Sequence, residues 1–365
     1  MEWIEFIEAE LAPAVVQLPC SLGRGSVRKQ SKDKECAMAK DAWATLMERI
    51  LAGRGQGHGD EYRPWLWVRR KNTSAQSNQL VDAIPGMRRE CHFLALVEWH
   101  MALLCVYLGA ADVREQFPLW PQPHLHPLST LRAAAAQRFE PCRGLMAIAD
   151  ELGIDHGWEV GAPNVPYVFT IDLAVTLRTA SGFALAGVSL KPRELLETAE
   201  PGARIEQRLR LAAQCMREYG AAHRIADRRV LGPHTGGVLE FLSAGTKLPA
   251  HLRGARLQDE FAKRFVDVAL ASSIDTGINR SANALRIDLE SARLLWLHLA
   301  WTRRIEVDIT TPLEMGQPLR LGGRAISDAL AVELFGVVPE CESGVHAERH
   351  NAQAVGPRWI AGAAA

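Results

Sequence analysis

The chain has 365 residues, 48% of them hydrophobic and 23% charged, and its formal net charge is zero. Such a composition supports packed cores and excludes a disordered chain, and at this length two compact domains are expected. The neutral balance excludes a protein that grips nucleic acid by bulk charge alone, because such proteins are clearly basic.

No apolar run reaches the roughly 18 residues of a membrane helix. The nearest, 93–111, is interrupted by Glu98 and His100. The start, Met1-Glu2-Trp3-Ile4-Glu5, is acidic where a secretion signal is basic. Seven cysteines contain no Cys-x-x-Cys pair, which reads as reduced thiols in a cytoplasmic protein.

Residues 1–37 read as an N-terminal extension with a polar stretch, Arg28-Lys29-Gln30-Ser31-Lys32-Asp33-Lys34, and Met38 as an alternative start. A first folded unit is expected over 38–245. A helix is predicted over 42–51, with Trp43, Leu46, Met47 and Ile50 on one face. The run Gly53-Arg54-Gly55-Gln56-Gly57-His58-Gly59 then forces an open loop. That loop could cradle a DNA phosphate or make a tight crossing. An aromatic extended segment follows at 62–68. A helix is predicted over 90–108, opening on Glu90, with Phe93, Leu94, Val97, Met101, Leu104 and Cys105 inward. An extended piece is predicted at 113–119, and helices at 133–137 and 145–152. A β-hairpin comes next, its strands at 167–175 and 183–190 and its turn at Arg178-Thr179-Ala180-Ser181-Gly182. A helix over 204–219 and a short strand at 223–225 complete an α/β pattern. Beyond 246 the pattern is helical, at 255–272, 282–285 and 289–301, with a β-like segment at 303–309. Helix, helix and then strand, over 246–337, predicts a winged-helix-like domain. Residues 338–365 read as a loose tail.

The chemistry is read from one acid, a long gap, and a second acid ahead of a lysine. Aspartate is depleted in strands, and one buried without a partner is costly. Asp172 nevertheless lies within Tyr167-Val168-Phe169-Thr170-Ile171-Asp172-Leu173-Ala174-Val175, and Lys191-Pro192 closes the partner run. Two carboxylates, Glu90 and Asp172, suit Mg²⁺, which takes oxygen ligands and lowers the pKa of bound water. An ammonium beside that water, from Lys191, would polarise it and stabilise charge on phosphorus. A strand aspartate and a strand-end lysine also describe an ordinary surface ion pair. His124-Leu125-His126 lacks a third ligand at zinc spacing and reads as solvent histidines in a proline-rich loop. Candidate phosphate contacts are Arg54, Arg69-Arg70-Lys71 and Arg303-Arg304, with solvated charge as the simpler reading. Trp65, Trp67, Trp99, Trp296 and Trp301 read as core.

Longer strings carry a resemblance. Gly53-Arg54-Gly55-Gln56-Gly57-His58-Gly59-Asp60-Glu61-Tyr62-Arg63-Pro64-Trp65-Leu66 and Asp112-Val113-Arg114-Glu115-Gln116-Phe117-Pro118-Leu119 resemble signatures of the TnsA endonuclease family, in the family's order. Gly153-Ile154-Asp155-His156 and Lys191-Pro192 fit as well. The resemblance covers roughly 40–230 and implies a restriction-endonuclease-like (PD-(D/E)xK) α/β catalytic domain with a helical, winged-helix-like C-terminal domain. It implies a transposase subunit cutting the 5′ ends of a mobile element. Its implied cofactor is Mg²⁺, as one or two ions with Mn²⁺ able to substitute. Its implied partners are transposon-end DNA, a TnsB-like integrase subunit and a TnsC-like ATP-dependent regulator. By motif, the family's helix glutamate falls on Glu90, its metal-binding aspartate on Asp172 and its lysine on Lys191. A stand-alone restriction or repair nuclease, and a non-catalytic assembly subunit, are the competing readings.

One position departs. The family carries an acidic or amide side chain two residues before the lysine, and this chain has Ser189. Ser189 could ligate metal directly or through water, the Leu190 backbone carbonyl could suffice, or Glu194 could reach back.

Overall fold

The computed structural model describes residues 41–68, 79–200 and 202–340. The expected N-terminal extension, the Arg69-Arg70-Lys71 cluster and nearly all of the expected tail lie outside the described residues.

Residues 41–51 form helix α1, as predicted. The glycine run that follows is a tight crossing. Gly55 has φ +73, and a Cβ there would lie 2.3 Å from the Pro118 ring. Only glycine combines that backbone with that approach. Strand β1 (Leu80–Asp82) pairs antiparallel with β2 (Cys91–Phe93). The predicted helix 90–108 therefore starts later, at α2 (Leu96–Tyr107). Cys91 and Phe93 are buried on either side of a half-buried His92, the two-residue period of a strand, although Phe93 also fits the helical spacing of the residues that follow. Glu90 lies exposed in the loop before β2.

Strand β3 (Asp112–Leu119) is buried along its whole length. The helix expected at 133–137 reduces to one 3-10 turn, Arg132–Ala134. Helix α3 (Leu145–Leu152) matches its prediction and stops at Gly153, in the left-handed conformation that commonly closes helices. A small hairpin, β4 (Trp158–Glu159) and β5 (Ala162–Pro166), leads into the long one, β6 (Phe169–Thr179) and β7 (Gly182–Leu190). Thr179 faces Gly182 across the two-residue turn. Helices α4 (Arg193–Glu197) and α5 (Arg204–Glu218) then deliver β8 (Ala222–Ala226) parallel to β7. The sheet runs β3-β6-β7-β8.

Period-two alternation divides the sheet between two cores. Leu173, Val175, Leu177, Ala186 and Val188 pack with α2 residues such as Met101 and Leu104. Ala174 and Leu185 pack with Leu145 and Ile148 of α3 and with Leu211 and Met216 of α5. The chain continues through α6 (Arg228–Leu231), α7 (Thr235–Ser243), α8 (Ala255–Ala269), α9 (Ile274–Leu285), α10 (Leu289–Trp301) and α11 (Gly323–Phe335). Phe261, Phe265, Trp296 and Phe335 from these helices share the core of α2.

The β-like segment 303–309 is not a strand, and among the described residues no strand follows α10. Its alternation is real, because Ile305, Val307 and Ile309 are all buried. They pack into the helical core instead of pairing in a ladder. Arg303, at φ +58, turns the chain out of α10, and Gly323 presses so close that a Cβ would lie 2.1 Å from the Val307 carbonyl oxygen. The wing expected of a winged-helix domain is thus absent from these residues. No described helix is long and apolar enough to cross a membrane.

Candidate functional site

The β6–β7 hairpin brings Asp172 and Lys191 together. Asp172 Oδ2 accepts hydrogen bonds from the Leu190 backbone N–H at 2.6 Å and from Lys191 Nζ at 3.0 Å. Lys191 Nζ also donates to the Leu190 carbonyl at 2.9 Å. The ammonium is therefore held at two points beside the carboxylate, and Asp172 Oδ1 carries no hydrogen bond. Their side chains are 30% and 13% exposed, so the pair lies near the surface without being freely solvated.

The carboxylate that senses the charge of Asp172 is Glu98, whereas Glu90, the acid expected beside it, is exposed in the loop before β2. Glu98 stands in the first turn of α2, and its Oε2 accepts from the Leu94 N–H at 2.9 Å. This reach back, past the N-cap Ala95 to the residue before it, places the carboxyl at the helix start, where the dipole favours negative charge. Gln116 Nε2 donates to the same oxygen at 3.2 Å, while Gln116 Oε1 accepts from Thr170 Oγ at 3.3 Å. Gln116 falls opposite Asp172, between the Glu115–Leu173 and Phe117–Ile171 pairs, and its backbone is left-handed at φ +47. Burial, and then the charge of Asp172, push the Glu98 carboxyl up to about 7. Glu90 instead lines a cleft of about 440 Å³ with Arg54, Asp60, Glu61, Arg63 and His92 among others.

That shift has a consequence for stability. Between the ordinary glutamate range and about 7, the unfolded chain releases the Glu98 proton while the folded chain keeps it. Metal-free stability therefore falls as pH rises through that window and levels off above it. Glu98→Gln removes the titration and keeps the acceptor. It is expected to raise the melting temperature in chelator more at pH 8 than at pH 5, with a ceiling of about 3 kcal/mol at pH 8. Calorimetry at the two pH values checks this; equal gains would show that Glu98 is not charged against Asp172.

Ser189 is buried, and its hydroxyl lies 3.0 Å from His223 Nε2 on β8. Burial, then the nearby Lys191 charge, hold the His223 pKa down at about 4. Glu194 is exposed on α4.

The two signature strings dock on each other beside this site. The Gly59 N–H donates to Asp112 Oδ2 at 3.1 Å, and Tyr62 Oη donates to the Glu115 carbonyl at 2.9 Å. The Trp65 N–H donates to the Gln116 carbonyl at 3.3 Å. Beneath them Arg89 forks onto both Glu115 oxygens at 2.7 and 2.6 Å, and both side chains are buried. Burial raises the Asp112 pKa, but His58 and Arg114 together outweigh it and hold the carboxyl down at about 2. The strings are thus structural partners that hold β3, and with it Gln116, against the hairpin.

His124 and His126 are buried, contrary to the solvent reading. Tyr219 holds both, through its hydroxyl at 2.8 Å from His124 Nε2 and its carbonyl at 2.9 Å from His126 Nε2. Arg54 stacks over Trp67 at 3.7 Å and donates to the Pro64 carbonyl. Arg304 is taken up by Asp259 and Gln258. Trp65, Trp99, Trp296 and Trp301 are buried, as expected, and Trp67 is half-buried. The four cysteines among the described residues are free and buried.

Among the described residues no group of three or more His, Cys, Asp or Glu side chains is arranged to hold a metal. The site offers two carboxylates, each with one oxygen free of hydrogen bonds, and the Leu190 carbonyl. That hard, sparse oxygen set is one Mg²⁺ accepts, since this ion keeps several waters and takes one or two carboxylates.

No protein-family model matches the chain. Over 77 residues it is 39% identical to the transposon Tn7 transposition protein TnsA of Escherichia coli. The chain spans only 28% of that relative's length, and the match takes in 21% of its own, so the similarity is to one stretch of a transposition protein.

Proposed function

We propose that the chain is a Mg²⁺-dependent DNA endonuclease that cuts at the 5′ ends of a transposable element. The observation that carries this reading is the meeting of Asp172 with Lys191, within the electrostatic reach of Glu98. A four-stranded mixed sheet with the hairpin at its centre supports a restriction-endonuclease-like core. When bound, the ion supplies Lewis acidity and a more acidic water. Asp172 and Glu98 would hold it through their free oxygens, with the Leu190 carbonyl as the third donor. Gln116 and the Leu94 N–H keep Glu98 in place. Lys191, fixed by Asp172 and the Leu190 carbonyl, orients and polarises the attacking water and stabilises charge gathering on phosphorus. Water oxygen bonds to phosphorus and the P–O3′ bond breaks, leaving a 5′-phosphate and a 3′-hydroxyl.

The partial likeness to a transposition protein supports work within a transposase. The neutral chain supports a shared grip on DNA, with a TnsB-like integrase and a TnsC-like ATP-dependent regulator as partners. A decayed, non-catalytic subunit fits less well. Glu98 and Asp172 repel each other in a desolvated place, a cost that a cation offsets.

The test is 5′-end cleavage by the reconstituted complex, with and without Mg²⁺, comparing wild type with Lys191→Ala. Cleavage should require the ion and fall by about 10²–10⁴-fold in the variant. Ion-independent cleavage, or a variant as fast as wild type, would overturn the reading. Cleavage of transposon ends by the isolated chain would instead favour a stand-alone nuclease.

A further inference from the structure

Ser189 stands two residues before Lys191 and one before Leu190, whose N–H is bound by Asp172. Leu173 pairs with Val188, so Ser189 is the next β7 residue toward the Asp172 end of the hairpin. A lone hydroxyl at such a place is an ambiguous group, because its proton turns to suit any neighbour and can face a cation as easily as its lone pairs can. Here its surroundings are not neutral toward that choice. Ser189 is 3% exposed, and its hydroxyl lies 3.0 Å from His223 Nε2. His223 comes from the parallel neighbour β8, opposite Gly187. A neutral ring that carries its proton on Nδ1 presents Nε2 as an acceptor.

We propose that Ser189 and His223 act as one composite acceptor, in which the ring nitrogen takes the hydroxyl proton's hydrogen bond and leaves the Ser189 oxygen lone pairs for the cation or its water. This rests on the metal-nuclease reading above. The pair would do with two short side chains what a single carboxylate or amide does elsewhere. His223 is then a positioning residue that acts through Ser189.

The test is Mn²⁺ binding to the full metal-free chain, read by calorimetry. Wild type is compared with His223→Ala, Ser189→Ala, the double variant, and Ser189→Gln in the His223→Ala background. Each single variant is expected to lose about 10-fold in affinity, as orienting partners of metal ligands typically do, and the double to lose no more than either single. Ser189→Gln should restore binding without His223, because an amide oxygen needs no partner to act as acceptor. His223→Gln and thermal melts separate a folding defect from a binding defect, and the glutamine should retain more affinity than alanine. Wild-type affinity in His223→Ala, or losses that multiply in the double variant, would overturn the proposal. Asp172→Ala serves as the control. If it also binds like wild type, the metal site itself is misassigned; if it alone loses binding, only the Ser189–His223 unit fails.

Discussion

Asp172→Ala and Asp172→Asn are both expected to lose 5′-strand nicking by at least about 100-fold, because each removes the anionic ligand on which the site is centred. The two differ in what they do to the fold. Asp172 Oδ2 is the acceptor for the buried Leu190 N–H. Alanine leaves that donor unpaired, at a cost of about 1–3 kcal/mol. Asparagine offers an amide oxygen in its place and loses only the charge. Asp172→Asn should therefore retain near-native melting and association with partner subunits while losing nicking. Nicking by Asp172→Asn within a few-fold of wild type would refute the nuclease reading. The same assay separates the two candidate glutamates. Glu98→Ala should behave like the Asp172 variants, and Glu90→Ala, at an exposed loop position beside a different cleft, should nick normally.

That contrast marks where the sequence stops being legible. The hairpin was readable because strands alternate with period two, and an aspartate inside a β-branched run has no folding reason to be there. Lys191 followed from the closing Lys-Pro. Phe93 continues the apolar spacing of α2, which is why the sequence predicts a helix reaching back to Glu90 where the structure has β2 and starts the helix at Leu96. A signal for Glu98 did exist: it is an acid inside the longest apolar run, buried in the helix's first turn. Gln116 gave no such signal, since its role depends on a left-handed backbone that a non-glycine residue seldom adopts. The segment 303–309 shows the opposite error. Alternation announces one buried side of an extended chain, but whether a neighbouring strand exists to pair with is a property of the whole fold, and here helices occupy that place.

Glu115→Ala is expected to cost about 3–5 kcal/mol, the usual penalty for stranding one member of a buried ion pair. Arg89 and Glu115 are 7% and 1% exposed and share two hydrogen bonds. Burial disfavours the Arg89 charge, yet the paired carboxylate outweighs it and raises the arginine pKa. Removing the carboxylate strands that cation and also frees the His92 N–H, which Glu115 accepts at 3.0 Å. Arg89 has further partners in the Gly59 and Val113 carbonyls, so its fork fastens the glycine loop to β3. If charge stranding is the cause, Arg89→Met combined with Glu115→Leu should be more stable than either single change, because no lone charge then remains. Urea unfolding measures all three. A single-variant cost below about 1 kcal/mol would mean that water reaches the pair, as at an exposed salt bridge. The consequence for function runs through one peptide. Gln116 follows Glu115 directly and donates to Glu98, so loosening β3 should weaken metal affinity even in Glu115 variants that still fold, with the Glu98 carboxylate less firmly held than in wild type.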